Sequence, residues 1–331
     1  MRLAVIDLVT VTSRLLVAEV FDNRVHELER HMRITHLGEG LDETGVISEG
    51  ALVREAKACR DFVEAIDGFQ EREEKPVERI VAVATSAMRD AANREEVCRA
   101  LREVGLEVAV IPGQLEAKLS FLGAVSGFGP GILAGNEPVL NVDVGGGSTE
   151  ATLGLLGIEK EEPQIIRTRS FDVGCRRVTD RFLLSDPVLP GEIAAARLWV
   201  QAEMGGYFEG FKGQPQAMIA VAGTATTVVT VRDEIVGYDP ARTHGAAVTI
   251  DELEGVLQKL AALDLRQRMA CPGLEPQRAP VILGGIIILQ VALELAGLDS
   301  FFVSETDILH GVALAAAAEG LRGGSRISRF P

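Results

Sequence analysis

A short apolar strand that ends at a carboxylate and runs straight into a turn of small residues occurs twice in this chain. The stretch 139–144 is apolar except for Asn141 and Asp143; Gly145-Gly146-Gly147-Ser148-Thr149 follows, and a return strand covers 150–156. Near the N-terminus an apolar run, 3–6, ends at Asp7, a turn carries Thr10, Thr12 and Ser13, and 15–20 returns. Both patterns specify a strand-turn-strand hairpin. The repetition predicts two similar units, roughly one per half. The length agrees, because 331 residues exceed the size at which one hydrophobic core usually stops growing.

The remaining segments read as a mixed α/β succession. Residues 48–69 form a helix capped by Ser48, with Leu52, Ala56, Cys59 and Val63 on one face. A buried strand at 80–85, a helix from Asn93 to about Val104, a strand at 107–111 and a helix at 114–124 follow. Residues 127–136 are a loop. In the second half, helices are expected at 190–208, 251–262, 282–296 and 307–319, strands at 217–222 and 301–303, and a turn entering a helix at Gly223-Thr224-Ala225-Thr226-Thr227. The tail, 321–331, is expected to be flexible.

Charge narrows the partners. A net charge of −15 opposes a nucleic-acid or anionic-membrane role, since a surplus of Lys and Arg is what holds such partners. An anionic substrate then needs a local basic lining, for which Arg89, Lys118, Arg167, Arg169, Arg176 and Arg177 are the candidates. The apolar run 281–289 is well short of the about 18 residues that span a bilayer and reads as a core helix. Cys59, Cys98, Cys175 and Cys271 are scattered without metal or redox spacing. A cytoplasmic protein with reduced cysteines is expected, and His26, His31 and His36 read as surface residues.

The glycine turn carries the clearest chemistry. Three glycines behind a strand-end carboxylate let backbone N–H groups approach a phosphate, and Asp143 would hold a divalent cation through water. Glu150 follows closely enough to face the same space. A plain glycine-rich hairpin is the competing reading. At Gly223, Thr224 and Thr226 the hydroxyl and amide donors suit a second phosphate loop, and a strand-turn-helix with threonine caps explains the same residues.

Five stretches together resemble the exopolyphosphatase and guanosine pentaphosphate phosphohydrolase (Ppx/GppA) family, within the actin, sugar-kinase and heat-shock chaperone superfamily. They are Ala82-Val-Ala-Thr-Ser-Ala-Met-Arg-Asp-Ala-Ala-Asn93, Ile111-Pro-Gly-Gln-Leu-Glu-Ala-Lys-Leu119, Asn141 to Glu150, Val221 to Thr227, and Tyr238-Asp-Pro-Ala-Arg-Thr-His-Gly245. The resemblance covers nearly the whole chain. It implies two ribonuclease H-like, actin-like lobes with an interlobe cleft, the first from 1–120 plus 301–320 and the second from 121–300. It also implies Mg²⁺, or Mn²⁺ in its place, held by Asp143, Glu150 and Asp7. The implied reaction releases terminal phosphate from inorganic polyphosphate or guanosine pentaphosphate, with a homodimer as an open assembly.

Residue by residue, the resemblance makes Glu116 the catalytic base, Arg89 a phosphate-binding arginine and Lys118 a source of substrate attraction. Gly145, Gly146, Gly147, Ser148, Gly223, Thr224, Thr226, Thr10 and Thr12 would hold phosphates. Each has an ordinary counterpart: Glu116 as a solvated helix residue, Arg89 as the partner of Asp90 or a helix glutamate, and Asn93 as an N-cap, which is the favoured reading there. The first loop departs from the family pattern. Asp7-Leu8-Val9-Thr10-Val11-Thr12 has Val9 where the family has glycine, and a β-branched residue does not cheaply adopt positive φ. Val11 replaces an amide, and Leu115 stands where the family often has a second acid. A polyphosphate or guanosine polyphosphate sensor with a degenerate first loop is therefore the alternative to an enzyme.

Overall fold

The computed structural model describes residues 1–128, 137–156, 163–211, 215–237 and 239–321. The chain divides into two compact units, Met1–Ser126 with Ile308–Pro331, and Gly127–Asp307. In the first, β1 (Arg2–Leu8), β2 (Thr12–Phe21) and β3 (Arg24–Ile34) form an antiparallel meander. After α1 (Leu41–Thr44) and α2 (Glu49–Arg72), β4 (Arg79–Ala84) returns parallel to β1. Then α3 (Ser86–Asp90) and α4 (Arg94–Glu103) lead to β5 (Val108–Val110), parallel to β4, and to α5 (Gly113–Ser126).

The second unit opens on the same plan. β6 (Val139–Val144), β7 (Thr149–Leu155) and β8 (Gln164–Phe171) form the meander. After α6 (Cys175–Phe182) and α7 (Pro190–Phe208), β9 (Ala217–Val221) runs parallel to β6. α8 (Ala222–Arg232), α9 (Pro240–Thr243), β10 (Ala247–Thr249), α10 (Ile250–Ala261), α11 (Leu265–Met269) and α12 (Ile282–Ala296) follow. β11 (Ser300–Val303) pairs with both β9 and β10, so this unit runs to Asp307 and not to 300. The last helix, α13 (Ile308–Leu321), belongs to the first unit. The glycine-rich loop beyond Phe128, Tyr238 of the fifth motif and the tail from 322 lie outside the described residues.

Alternation along β1 places the first core. Ala4, Ile6 and Leu8 face a cluster containing Phe62, Ile66 and Phe69 of α2, while Leu3 and Val5 face one containing Leu119 of α5 and Leu309, Val312 and Ala316 of α13. Burial on both faces explains why the strand reads as a continuous apolar run and not as an alternating one. Helices α5 and α13 approach so closely that a Cβ at Gly311 would stand 1.8 Å from the Leu119 carbonyl oxygen. Among the described residues no helix is long and apolar enough to cross a membrane.

Two helix readings need correction. The buried stripe of α2 is Ala51, Glu55, Ala58, Cys59, Phe62, Ile66 and Phe69, turned away from the expected Leu52, Ala56 and Val63, which are half-buried at its flank. The large side chains of Phe62, Ile66 and Phe69 set that stripe. Glu55 joins it because Ser13 Oγ donates to its carboxyl at 2.7 Å; burial pushes the Glu55 pKa up. Ser48 caps as expected, its side chain accepting from the Ala51 N–H. Asn93 does not cap: its Oδ1 accepts from Ile47 N–H and its Nδ2 donates to Ile47 C=O, both at 2.9 Å.

Asn93→Ser should therefore lose about 1–2 kcal/mol in urea unfolding, because serine replaces a cap but not a two-bonded amide latch. Gly311→Ala should cost about 2 kcal/mol or more by forcing α13 away from α5. Gly191→Ala, with open space around the added methyl, serves as the neutral control.

Candidate functional site

In the first unit the chemistry-bearing residues gather at the carboxyl ends of the parallel strands β1, β4 and β5, where ligands bind in open α/β sheets. Asp7 is fully buried on the α5 side of the sheet, and Arg14, directly opposite on β2, donates to its Oδ2 at 2.6 Å. The carboxylate implied as a metal ligand thus stands in a buried ion pair. The following turn is held by backbone: Val9 N–H donates to Thr12 C=O, Thr35 and His36 N–H to Val11 C=O, and Gly38 N–H to Thr10 C=O. Val9 and Val11 keep negative φ, so neither residue is strained. Thr10 and Thr12 are buried, and the Thr10 methyl fills the space a Cβ at Gly38 would need.

Arg89 and Glu116 meet. The chain leaves β4 at Thr85, whose N–H donates to Leu8 C=O, and turns into α3, which carries Arg89. From there Arg89 Nη1 donates to Glu116 Oε2 and, at 3.2 Å, to Ile111 C=O. Glu116 sits in the first turn of α5 and is 7% exposed, so it is not a solvated helix residue. Arg89 thus has a helix glutamate as partner, as its ordinary counterpart anticipates. Lys118 is exposed and lies about 200° around α5 from Glu116, so the structure does not bring those two together.

In the second unit Asp143 and Glu150 are cross-strand partners on β6 and β7, 7% and 1% exposed. Their side chains rise from the same face of the sheet. Ser170, the partner of Glu150 on β8, donates from Oγ to Glu150 Oε1 at 2.6 Å. The glycine turn lies against α6: Cys175 N–H donates to Gly145 C=O, Arg176 N–H to Gly146 C=O, and Arg177 Nε to Gly147 C=O. Because C=O and N–H point oppositely across a trans peptide, the N–H groups of Gly146, Gly147 and Ser148 point away from α6. Three successive N–H groups aimed one way suit an anion.

The second loop differs from the turn expected. Ala222 to Arg232 is helix from its first residue, and Ala222 holds φ 68°, costing a residue with a Cβ about 1 kcal/mol. Thr224 is buried against α12, where a Cβ at Gly285 would stand 2.3 Å from its Oγ1, and Thr226 Oγ1 donates to Gly223 C=O. The Thr226 hydroxyl thus has a backbone partner within its own helix. What lies over Gly223 is a residue the sequence reading missed: a Cβ there would stand 1.8 Å from Arg278 Nη1. Burial pushes the Cys175 thiol up to about 11 while Arg176 and Arg278 pull it down, so Arg278 is also within electrostatic reach of the glycine turn. No motif marked Arg278, which is over fifty residues from either loop in sequence.

Asp143 and Glu150 fit a divalent cation as two adjacent carboxylates. Among the described residues no group of three His, Cys, Asp or Glu side chains forms a metal cage. That suits Mg²⁺, which takes few carboxylates and completes its shell with waters and phosphate oxygens.

The description Ppx/GppA phosphatase family matches residues 16–319. The chain is 36% identical to exopolyphosphatase 2 of Mycobacterium tuberculosis, an alignment covering 96% of this chain and 98% of that protein. It superimposes on the crystal structure of an exopolyphosphatase-like protein with a TM-score of 0.85 at 32% identity, covering 97% and 98% of the two chains. The Aquifex aeolicus Ppx/GppA family member gives a TM-score of 0.76 at 28% identity, with 97% and 98% covered. With this two-sheet α/β fold and a match across nearly its whole length, the chain belongs to the Ppx/GppA phosphatase family.

Proposed function

We propose that the chain is a phosphoanhydride hydrolase that releases terminal phosphate from inorganic polyphosphate, with guanosine pentaphosphate as a second substrate for the same chemistry. The observation that carries this reading is the buried pair Arg89–Glu116, a carboxylate fixed in place at the carboxyl ends of parallel strands. Glu116 accepts the proton of the attacking water, and Arg89 holds that carboxylate in one orientation. The N–H groups of Gly146, Gly147 and Ser148 bind phosphate oxygens, with Arg278 adding charge at the start of α8. Mg²⁺ or Mn²⁺ held by Asp143 and Glu150 supplies neutralisation of the charge spread over the phosphate when bound. The four cysteines are free thiols, as a reducing, cytoplasmic setting leaves them.

The sensor alternative rests on Val9 and Val11; both keep negative φ, so backbone strain does not disable this loop, and no observation favours the sensor over the enzyme.

Glu116→Gln should lower phosphate release by roughly 10²–10⁴-fold while calorimetric polyphosphate binding stays close to that of the unaltered protein. Release at an unaltered rate would remove Glu116 from the chemistry. A folded wild-type protein that releases no phosphate from either substrate with Mg²⁺ or Mn²⁺ would sink the whole reading. Gly223→Ala should push the Arg278 guanidinium aside and raise the polyphosphate KM about tenfold, the equivalent of one charged hydrogen bond, with little change in Tm.

A further inference from the structure

Ser170 places a hydroxyl beside the two carboxylates of the second unit. Asp143, Glu150 and Ser170 are successive cross-strand partners on β6, β7 and β8, so their side chains stand in one row on one face. Ser170 Oγ donates to Glu150 Oε1 at 2.6 Å, the short distance of a charge-assisted bond. We propose that Ser170 is the positioning residue for the cation-holding carboxylate, orienting Glu150 beside Asp143 before a divalent ion arrives. This rests on the assignment of the cation to Asp143 and Glu150.

The hydrogen bond removes rotamer freedom from Glu150. A glutamate has three side-chain torsions, and ordering them costs free energy that a prior hydrogen bond has already supplied. The bond also commits Oε1 to a donor, which favours one-oxygen coordination through the other carboxylate oxygen. Mg²⁺ prefers that mode, whereas Ca²⁺ readily takes both oxygens. Ser170 is itself held in place. The next β8 residue, Phe171, pairs with Thr149, and Thr149 Oγ1 donates to Val173 C=O at 2.5 Å. In the next row on the same face, Thr152 and Thr168 share a hydroxyl–hydroxyl bond of 2.8 Å, so β8 is pinned to β7 on both sides of the Ser170 contact.

The test is Mn²⁺ binding to the substrate-free protein, followed by the electron paramagnetic resonance signal of the free ion, alongside the Mg²⁺ dependence of phosphate release. Ser170→Ala should weaken Mn²⁺ binding about tenfold and raise the Mg²⁺ half-saturation by a similar factor, the usual effect of losing a bond to a metal ligand. Ser170→Thr should restore both, and Ser170→Cys, a weak donor of similar size, should fall between. Unfolding in EDTA checks that each variant is folded, and the Thr–Cys comparison stands if alanine fails to fold. Wild-type affinity in Ser170→Ala, or in Ser170→Cys if alanine does not fold, overturns the proposal. If Asp143→Asn and Glu150→Gln bind Mn²⁺ as tightly as wild type, the cation assignment itself fails and takes the proposal with it.

Discussion

The second unit depends on one close backbone approach. A Cβ at Gly174 would stand 2.3 Å from the Gly146 carbonyl oxygen, a distance no other residue tolerates. With Gly174 in place, the first N–H groups of α6 reach the carbonyls of Gly145 and Gly146, and those bonds turn the opposite edge of the turn outward. The outward-facing N–H edge of the turn is thus a consequence of helix packing. The three glycines hold negative φ, so they are present for proximity and not for a left-handed turn. Helix α12 extends the same logic: a Cβ at Gly284 would stand 2.5 Å from Cys175 C=O, and one at Gly285 2.3 Å from Thr224 Oγ1. Two adjacent glycines on one buried helix let α6 and α8 both come close.

The first unit has no glycine within the corresponding turn. Its turn carries Val9 and Val11, and the segment Thr35 to Gly38 satisfies the carbonyls of Thr10 and Val11. Side chains supply the fixed charge instead, through Arg14 on Asp7 and Arg89 on Glu116. A buried carboxylate paired in this way escapes the cost of an isolated charge, and the guanidinium sets its orientation. The same meander-plus-parallel-strand plan therefore yields a backbone-built site in one unit and a side-chain-built site in the other.

That difference decides what could be read from residues alone. Helices at 190–208 and 282–296 were legible to the residue because a leading proline marks the first and an apolar run interrupted only by Gln290 and Glu294 the second. β8 was missed, since its Gln164-Ile-Ile-Arg-Thr-Arg sequence belongs to an edge strand whose exposed residues carry no apolar alternation. Asn93 was misread because a cap and a latch require the same residue at the same place; only the position of Ile47 separates them. Glu116 was singled out through family resemblance and a helix glutamate was offered as a partner for Arg89; that the two are the same residue, twenty-seven positions on, only the fold shows. Arg278 was invisible for the same reason, as its meaning lies in the space above Gly223.

Those arginines also reconcile an acidic chain with an anionic substrate. A net charge of −15 repels a polyphosphate at long range, yet at physiological ionic strength charges more than about 8 Å apart are largely screened. Affinity then follows the groups within reach of the phosphates. Arg176, Arg177 and Arg278 cluster at the glycine turn and the start of α8, each anchored: Arg176 by Asp180, Arg177 by the Gly147 carbonyl and Arg278 by Glu275. Anchoring reduces the side-chain entropy lost on binding, so a few held guanidiniums serve where a diffuse basic surface would otherwise be needed. Under the proposed function, a polyanion would be attracted where it meets those fixed groups and the outward N–H row together.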